Sequence, residues 1–275
     1  MRQLVLGPGV IVRSMSVPQP RGSHGHLWQY HSRSDLHSKV ACWVTLVDLL
    51  AASAVLRRHA AEGKVVIGVN HEIRDFGTNR KKELDLVIGR SSAGVSTRNR
   101  SLLDLKTTFH ALLTREQELD VRSLPHLREG PVEAVLMALE AKAAMTAHGK
   151  ALPRLYDELT SSHTVIHGNS SRALAVALVM VNACSTFVSP GKKGPISRHR
   201  QPHDAKLVVD KLRELQRRTT LEGSGFDGLG VLIVSCANDG TPVTLVTGDP
   251  APLEFQYANM ITRVANEYDG RFKSI

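Results

Sequence analysis

The chain has 275 residues, 42% hydrophobic and 22% charged, which is ordinary for a globular fold and enough for one large core. Its formal charge of +9 and pI near 9.7 favour a polyanionic partner, since Lys and Arg neutralise phosphates and release counterions. Composition also excludes several classes. Aromatics, at 4%, are too few for a single-strand binder built on stacked bases, three cysteines without CxxC spacing give neither a disulfide framework nor a structural zinc site, and the longest apolar run (173–184) is too short to span a bilayer.

Residues 1–30 carry Pro8, Pro18 and Pro20 with several glycines and read as a flexible arm. The opening is faintly like a signal peptide. Its apolar part is broken by Gly7, Pro8 and Gly9 and no small-residue cleavage site follows at once, so a cytoplasmic chain is expected. His24, His26 and His31 cluster with Arg21 and Arg33; a solvated arm is the plainer reading and DNA contact the alternative. Residues 35–61 have helical spacing, with Val40, Val44, Val47, Leu50 and Leu56 on one side, a Ser34 or Asp35 cap, and Arg57, Arg58 and His59 in the last turn. His37-Ser38-Lys39 is similar to the HxK opening of the phospholipase D signature. The aspartate that must follow is missing, because Asp48 comes too late.

Residues 64–70 read as a short β-branched strand. A polar loop with His71, Arg74, Arg80, Lys81 and Lys82 leads to a second strand over 83–88, which holds Asp85. Glu72 and Asp75 in that loop read as ion-pair partners rather than ligands. Residues 90–131 are too long for a hairpin connection and predict a helical insertion, with helix over 102–119 and a stop at Pro125, Gly130 and Pro131.

Residues 132–145 (VEAVLMALEAKAAM) admit two readings. The run is rich in helix formers, and as a helix it would leave Glu140 and Lys142 solvated. As a strand it puts Glu140 and Lys142 on one face, because residues two apart share a face. Paired with the strand of Asp85, it would gather two carboxylates and one ammonium. That is the minimum equipment for metal-assisted phosphodiester hydrolysis: carboxylates suit Mg²⁺, the metal polarises phosphate and activates water, and the lysine orients that water or balances charge.

After Pro153 a helix is expected over 154–163. His163 and His167 have a metal-binding spacing but no third ligand, and the metal reading is the weaker one. Residues 173–182 form a buried run with strand character in its second half. Residues 189–203 are a Gly/Pro-rich basic loop with Lys192, Lys193, Arg198 and Arg200, suited to a phosphate backbone or to a solvated linker. An amphipathic helix follows over 204–219. Residues 223–228 match GxGxxG with the strand after rather than before, so no dinucleotide site and no nucleotide cofactor are expected. A strand over 231–236, a hairpin at Asn238-Asp239-Gly240, a return strand over 243–248 and a helix from 253 to about 268 complete the chain.

Asp85, Glu140 and Lys142 in the D…(D/E)xK arrangement resemble the PD-(D/E)xK nuclease superfamily, the restriction-endonuclease-like fold. Leu84 stands where the motif often has proline. The order helix, strand, strand with Asp, strand with Glu-x-Lys, helix, strand favours the strand reading of 132–142. The resemblance covers about 37–185. It implies an α/β fold with an αβββαβ core, a mixed central sheet flanked by helices, a helical insertion over about 90–131 and an extension over 189–275, within one domain from 31 to 275. It further implies catalysis by Asp85, Glu140 and Lys142, with Mg²⁺ (or Mn²⁺) on Asp85, Glu140 and the carbonyl of Ala141. DNA would be gripped by Arg80, Lys81, Lys82, Lys192, Lys193, Arg198 and Arg200. The expectation is a DNA endonuclease of a restriction or other defence system, a homodimer by analogy with double-strand cutting. Its alternatives are a non-catalytic nucleic-acid-binding module of the same fold and an unrelated metabolic α/β enzyme.

Overall fold

The structure, a computed structural model, describes residues 5–20, 27–91, 100–190, 194–246 and 251–275. The elements in chain order are α1 (Gly7–Met15), β1 (Gln19–Pro20), β2 (Leu27–Trp28), α2 (Leu36–Ala52), α3 (Ala54–Ala61), β3 (Val65–Arg74) and β4 (Lys81–Ser91). There follow α4 (Leu102–Thr108), α5 (Arg115–Arg122), β5 (Val132–Ala144), α6 (His148–Asn169), β6 (Leu174–Asn182), β7 (Thr186–Val188) and β8 (Ile196–Arg198). The chain ends with α7 (His203–Arg213), β9 (Gly228–Ser235), β10 (Thr244–Leu245), a short 3-10 turn (Leu253–Phe255) and α8 (Tyr257–Arg271).

Six strands form one mixed sheet in the order β10-β9-β6-β5-β4-β3. The chain makes an antiparallel meander through β3, β4 and β5, crosses over through α6, and lays β6 parallel to β5 and β9 parallel to β6. Parallel neighbours need such a crossover. The central strand β6 is apolar but for its last residue and buried along its whole length, as expected of a strand covered on both faces. One face carries α1, α2 and α8 with Leu86, Ile88, Leu139 and Leu178 of the sheet; the other carries α6 and α7 with Val87, Ala138, Val179 and Val231. No single helix among the described residues is long and apolar enough to cross a membrane.

Several elements differ from the sequence expectation. Within the amino-terminal segment, residues 7–15 are not a loose arm: α1 buries Val10, Ile11 and Met15 against the main core. Its anchor is Asp48 of α2, fully buried, which accepts from the backbone N–H of Leu6 and Gly7 at 2.8 Å each and from the Tyr257 hydroxyl at 2.8 Å. Proline and glycine at 7–9 suggested loop, but Pro at a first helical turn costs no hydrogen bond. His24, His26 and Arg21 lie outside the described residues.

The expected helix over 35–61 is two helices bent by 101° at Ser53, whose hydroxyl accepts from the Leu56 N–H and caps α3. The insertion holds two short helices rather than one, each opened by a capping box, Ser101 with Asp104 and Thr114 with Gln117. Helix α6 starts five residues before Pro153, which lies inside it, past the first four N–H groups that have no intrahelical partner. Strand β10 is two residues long, and α7 ends at Arg213. Gly228, the last glycine of the GxGxxG match, lies at the start of β9 beneath α8; a Cβ there would meet Val264 at 2.3 Å.

Candidate active site

Residues 132–144 are a strand, so Glu140 and Lys142 share a face. That face looks at α6. The Lys142 ammonium lies 2.8 Å from Glu140 Oε1 and 3.4 Å from Glu158 Oε2 of α6, and Arg154 holds Glu158 at 2.6 Å. Glu140 is 3% exposed, and its Oε2 is buried with no hydrogen-bond partner among the described residues.

Asp85 comes from the neighbouring strand. The ladder that pairs Leu86 with Leu139 ends one residue short of Asp85 and Glu140. In a regular strand Leu84 and Leu86 would share a face, yet Leu84 packs on the α6 side and Leu86 on the α2 side. The irregularity coincides with Asn70 on β3, which has φ +48° between the pairs Val69↔Leu86 and His71↔Leu84. This local twist turns the Asp85 carboxylate toward α2. Its Oδ1 accepts from the Lys39 ammonium at 2.9 Å and the Ser38 hydroxyl at 3.1 Å, and its Oδ2 accepts from the Ala141 N–H at 3.1 Å. Lys39 is 5% exposed and also donates to the Asn70 side chain.

The structure therefore joins Glu140 and Lys142 directly, and joins Asp85 to them through the peptide of Ala141. Lys82, expected to grip DNA, is instead part of this cluster. Its ammonium lies 3.8 Å from Glu140 Oε1 and donates to the Glu158 carbonyl at 2.9 Å. Register explains the change: Lys82 pairs with Ile73 inside the β3–β4 ladder, with its side chain turned inward. Lys81 is exposed and bound to Glu72 at 2.7 Å, and Arg80 is exposed at the hairpin tip. Asp75 caps that tip, accepting from the Gly77 N–H at 2.8 Å and the Thr78 hydroxyl at 2.5 Å. Lys192 and Lys193 lie outside the described residues; Arg198 and Arg200 are exposed on and just after β8, and Arg200 leans on Asp204.

Electrostatics follow from burial. Desolvation pushes the Glu140 carboxyl above the usual range despite Lys142 and Lys82 beside it. Burial pulls the Lys142 ammonium down, but the Glu140 charge and hydrogen bond, with Glu158, outweigh it and raise the group. At Lys82 burial wins and the group is lowered.

The buried, unpartnered oxygen of Glu140 suits a divalent cation, although Asp85 is turned toward α2 and Glu140 toward α6. Each carboxylate oxygen has two lone-pair sites, so the bonds at Asp85 leave acceptor capacity. Among the described residues no group of three or more His, Cys, Asp or Glu side chains is arranged to hold a metal. His163 and His167 serve packing instead, His163 bonding to Ser224 and His167 facing Asp227.

Sequence reasoning missed Ser38, Lys39, Asn70 and Glu158. Lys39 left a readable signal: a lysine in the stretch Val40 to Leu50 extends, where the helix is apolar nearly all round, must find a partner inside. No family model matches the chain, and neither the curated proteins nor the solved structures compared with it contain a match.

Proposed function

We propose that the chain is a metal-dependent DNA endonuclease of the PD-(D/E)xK type. The observation that carries this reading is the buried, unpartnered Oε2 of Glu140, on the same strand face as Lys142 and next to the strand of Asp85. The sequence of a helical layer (α2 and α3), the meander β3–β4–β5, crossover α6 and parallel β6 also supports an αβββαβ core. The net charge of +9 fits a nucleic acid.

Asp85 and Glu140 would hold Mg²⁺, or Mn²⁺ in its place, with the Ala141 carbonyl as a further oxygen. Bound there, the cation would supply Lewis acidity toward phosphate and a more acidic water. Lys142, kept charged by Glu140 and Glu158, orients the attacking water and balances charge on the phosphate. Glu158 and Arg154 hold Lys142 in place from α6. Lys39 and Ser38 fix the rotamer of Asp85. Arg80, Arg198 and Arg200 supply exposed positive charge for the DNA backbone. Double-strand cutting would take two copies, so a homodimer is part of this proposal, and a defence role rests on the resemblance alone.

A second reading has its own observation. Lys39, Lys82 and Lys142 already compensate Asp85 and Glu140, as in a nucleic-acid-binding module that keeps the fold without cleaving. Plasmid and single-stranded DNA incubated with Mg²⁺, Mn²⁺ or EDTA separate the two. Metal-dependent nicking supports the nuclease; salt-sensitive binding that ignores metal, with no nicking, supports the module.

A further inference from the structure

Beside the Glu140–Lys142 face lies a cavity of about 330 Å³. Ala141, Lys142 and Ala143 of β5 form its floor, Ser38 of α2 and the preceding Tyr30 one wall, and Ala151 and Arg154 of α6 the other. Lys142 lines it, whereas Asp85 and Glu140 do not. The cavity therefore adjoins the place of reaction rather than containing it.

Its size is at the small end of the range for small-molecule sites, roughly 300–1,000 Å³. A stacked base pair does not fit such a space, but one nucleotide does. Its lining is mixed: Met145, Leu155 and Met180 are apolar, hydroxyls from Tyr30, Ser32, Ser38 and Thr146 offer donors and acceptors, and Lys142 and Arg154 supply cations with Glu158 between them. The Tyr30 ring stacks on His37 at 5.5 Å and 17° and gives the wall a flat aromatic group. The basic hairpin adjoins the rim, because His199, next to Arg198 and Arg200, contacts Thr146 at 3.2 Å.

We infer that this cavity is a subsite for one unstacked nucleotide beside the scissile phosphate, so that the preferred substrate is single-stranded or locally opened DNA. This deepens the nuclease reading and rests on it. A base in a duplex reaches such a pocket only by leaving its stack, which costs a few kcal/mol that an open strand does not incur.

The test uses the full chain in EDTA, titrated with dTMP and, separately, with inorganic phosphate, and followed by calorimetry. Ala143→Leu and Ala151→Leu fill the cavity from its floor and from the α6 wall, and thermal melting shows whether each variant is folded. The expected result is that dTMP binds more tightly than phosphate and that each filled variant weakens dTMP about tenfold, or 1.4 kcal/mol. With Mg²⁺, single-stranded or bubble DNA should be cut faster than duplex. Equal binding of dTMP and phosphate, or parent-like dTMP binding by both folded variants, would overturn the subsite even if plasmid cleavage persists. Loss of dTMP binding in the filled variants, with no DNA cut by the parent, would support a nucleotide site and remove the nuclease reading.

Discussion

Glu140 is where burial and charge conflict most directly. Its carboxyl is raised above the usual range by desolvation, and one oxygen has no partner among the described residues. A metal binds the ionised carboxylate, so its affinity should climb as pH rises through this raised range and level off above it. Calorimetric titration with Mn²⁺ checks this: weaker binding at acidic pH in the parent, and weak, nearly pH-independent binding in Glu140→Gln. Lys39 poses the complementary case. Removing one partner of a buried ion pair leaves the other charge uncompensated, so Lys39→Met should cost about 3 kcal/mol in denaturant unfolding. Mg²⁺ should restore part of that loss by compensating Asp85; an unchanged midpoint would deny Lys39 its role in holding that carboxylate. The pair Glu140 and Lys142 was legible once the order of elements favoured a strand over a helix, because a strand period of two dictates a shared face. Lys39 and Glu158 were not, since they come from helices 101 residues earlier and 18 residues later than Glu140 and only tertiary packing brings them in.

At the scale of elements, the amino end of α1 is anchored by one side chain, while Val10, Ile11 and Met15 pack the helix on the core. Asp48 is pushed up to about 6 by burial, against the pull of its bonds to Leu6, Gly7 and Tyr257. Asp48→Ala would leave those three donors unpaired and should cost about 3 kcal/mol, with early hydrogen exchange over Gly7–Met15. The folded chain keeps the Asp48 proton to higher pH than the unfolded chain, whose ordinary value is 3.8. The stability contribution of Asp48 should thus decline between pH 4 and about 6, by about 3 kcal/mol over that window. Comparing pH-dependent melting of the parent with that of Asp48→Asn isolates the slope. Local sequence placed the apolar stretches of β3 and β4, at 64–70 and 83–88, but not their polar ends, since β3 runs on to Arg74 and β4 begins at Lys81. It could not locate α1, whose residues acquire a reason to be helical when Asp48 meets their N–H groups from 41 and 42 residues away. The bend at Ser53 was likewise hidden in continuous helical periodicity.

Across the whole molecule, a charge of +9 would make the proposed nucleic-acid binding a long-range electrostatic matter. The exposed Arg198 and Arg200 should each contribute about one unit to the salt slope of binding, so the double alanine variant should flatten log K against log salt by about two. Fluorescence anisotropy with labelled duplex, from low to moderate salt in EDTA, measures that slope, and an unchanged slope would place the DNA elsewhere. The expected mixed sheet with flanking helices was readable from the order of elements, while the merging of residues 6 to 272 into one core was not, because nothing local links the two chain ends. We propose that Asp85, Glu140 and Lys142 act together on a phosphodiester. Plasmid nicking in Mg²⁺ by the parent, Asp85→Ala and Lys142→Ala tests it most directly. Both substitutions should abolish metal-dependent nicking while circular dichroism stays that of the parent. Nicking that survives both in folded protein would contradict the site and return Glu140 and Lys142 to a structural ion pair.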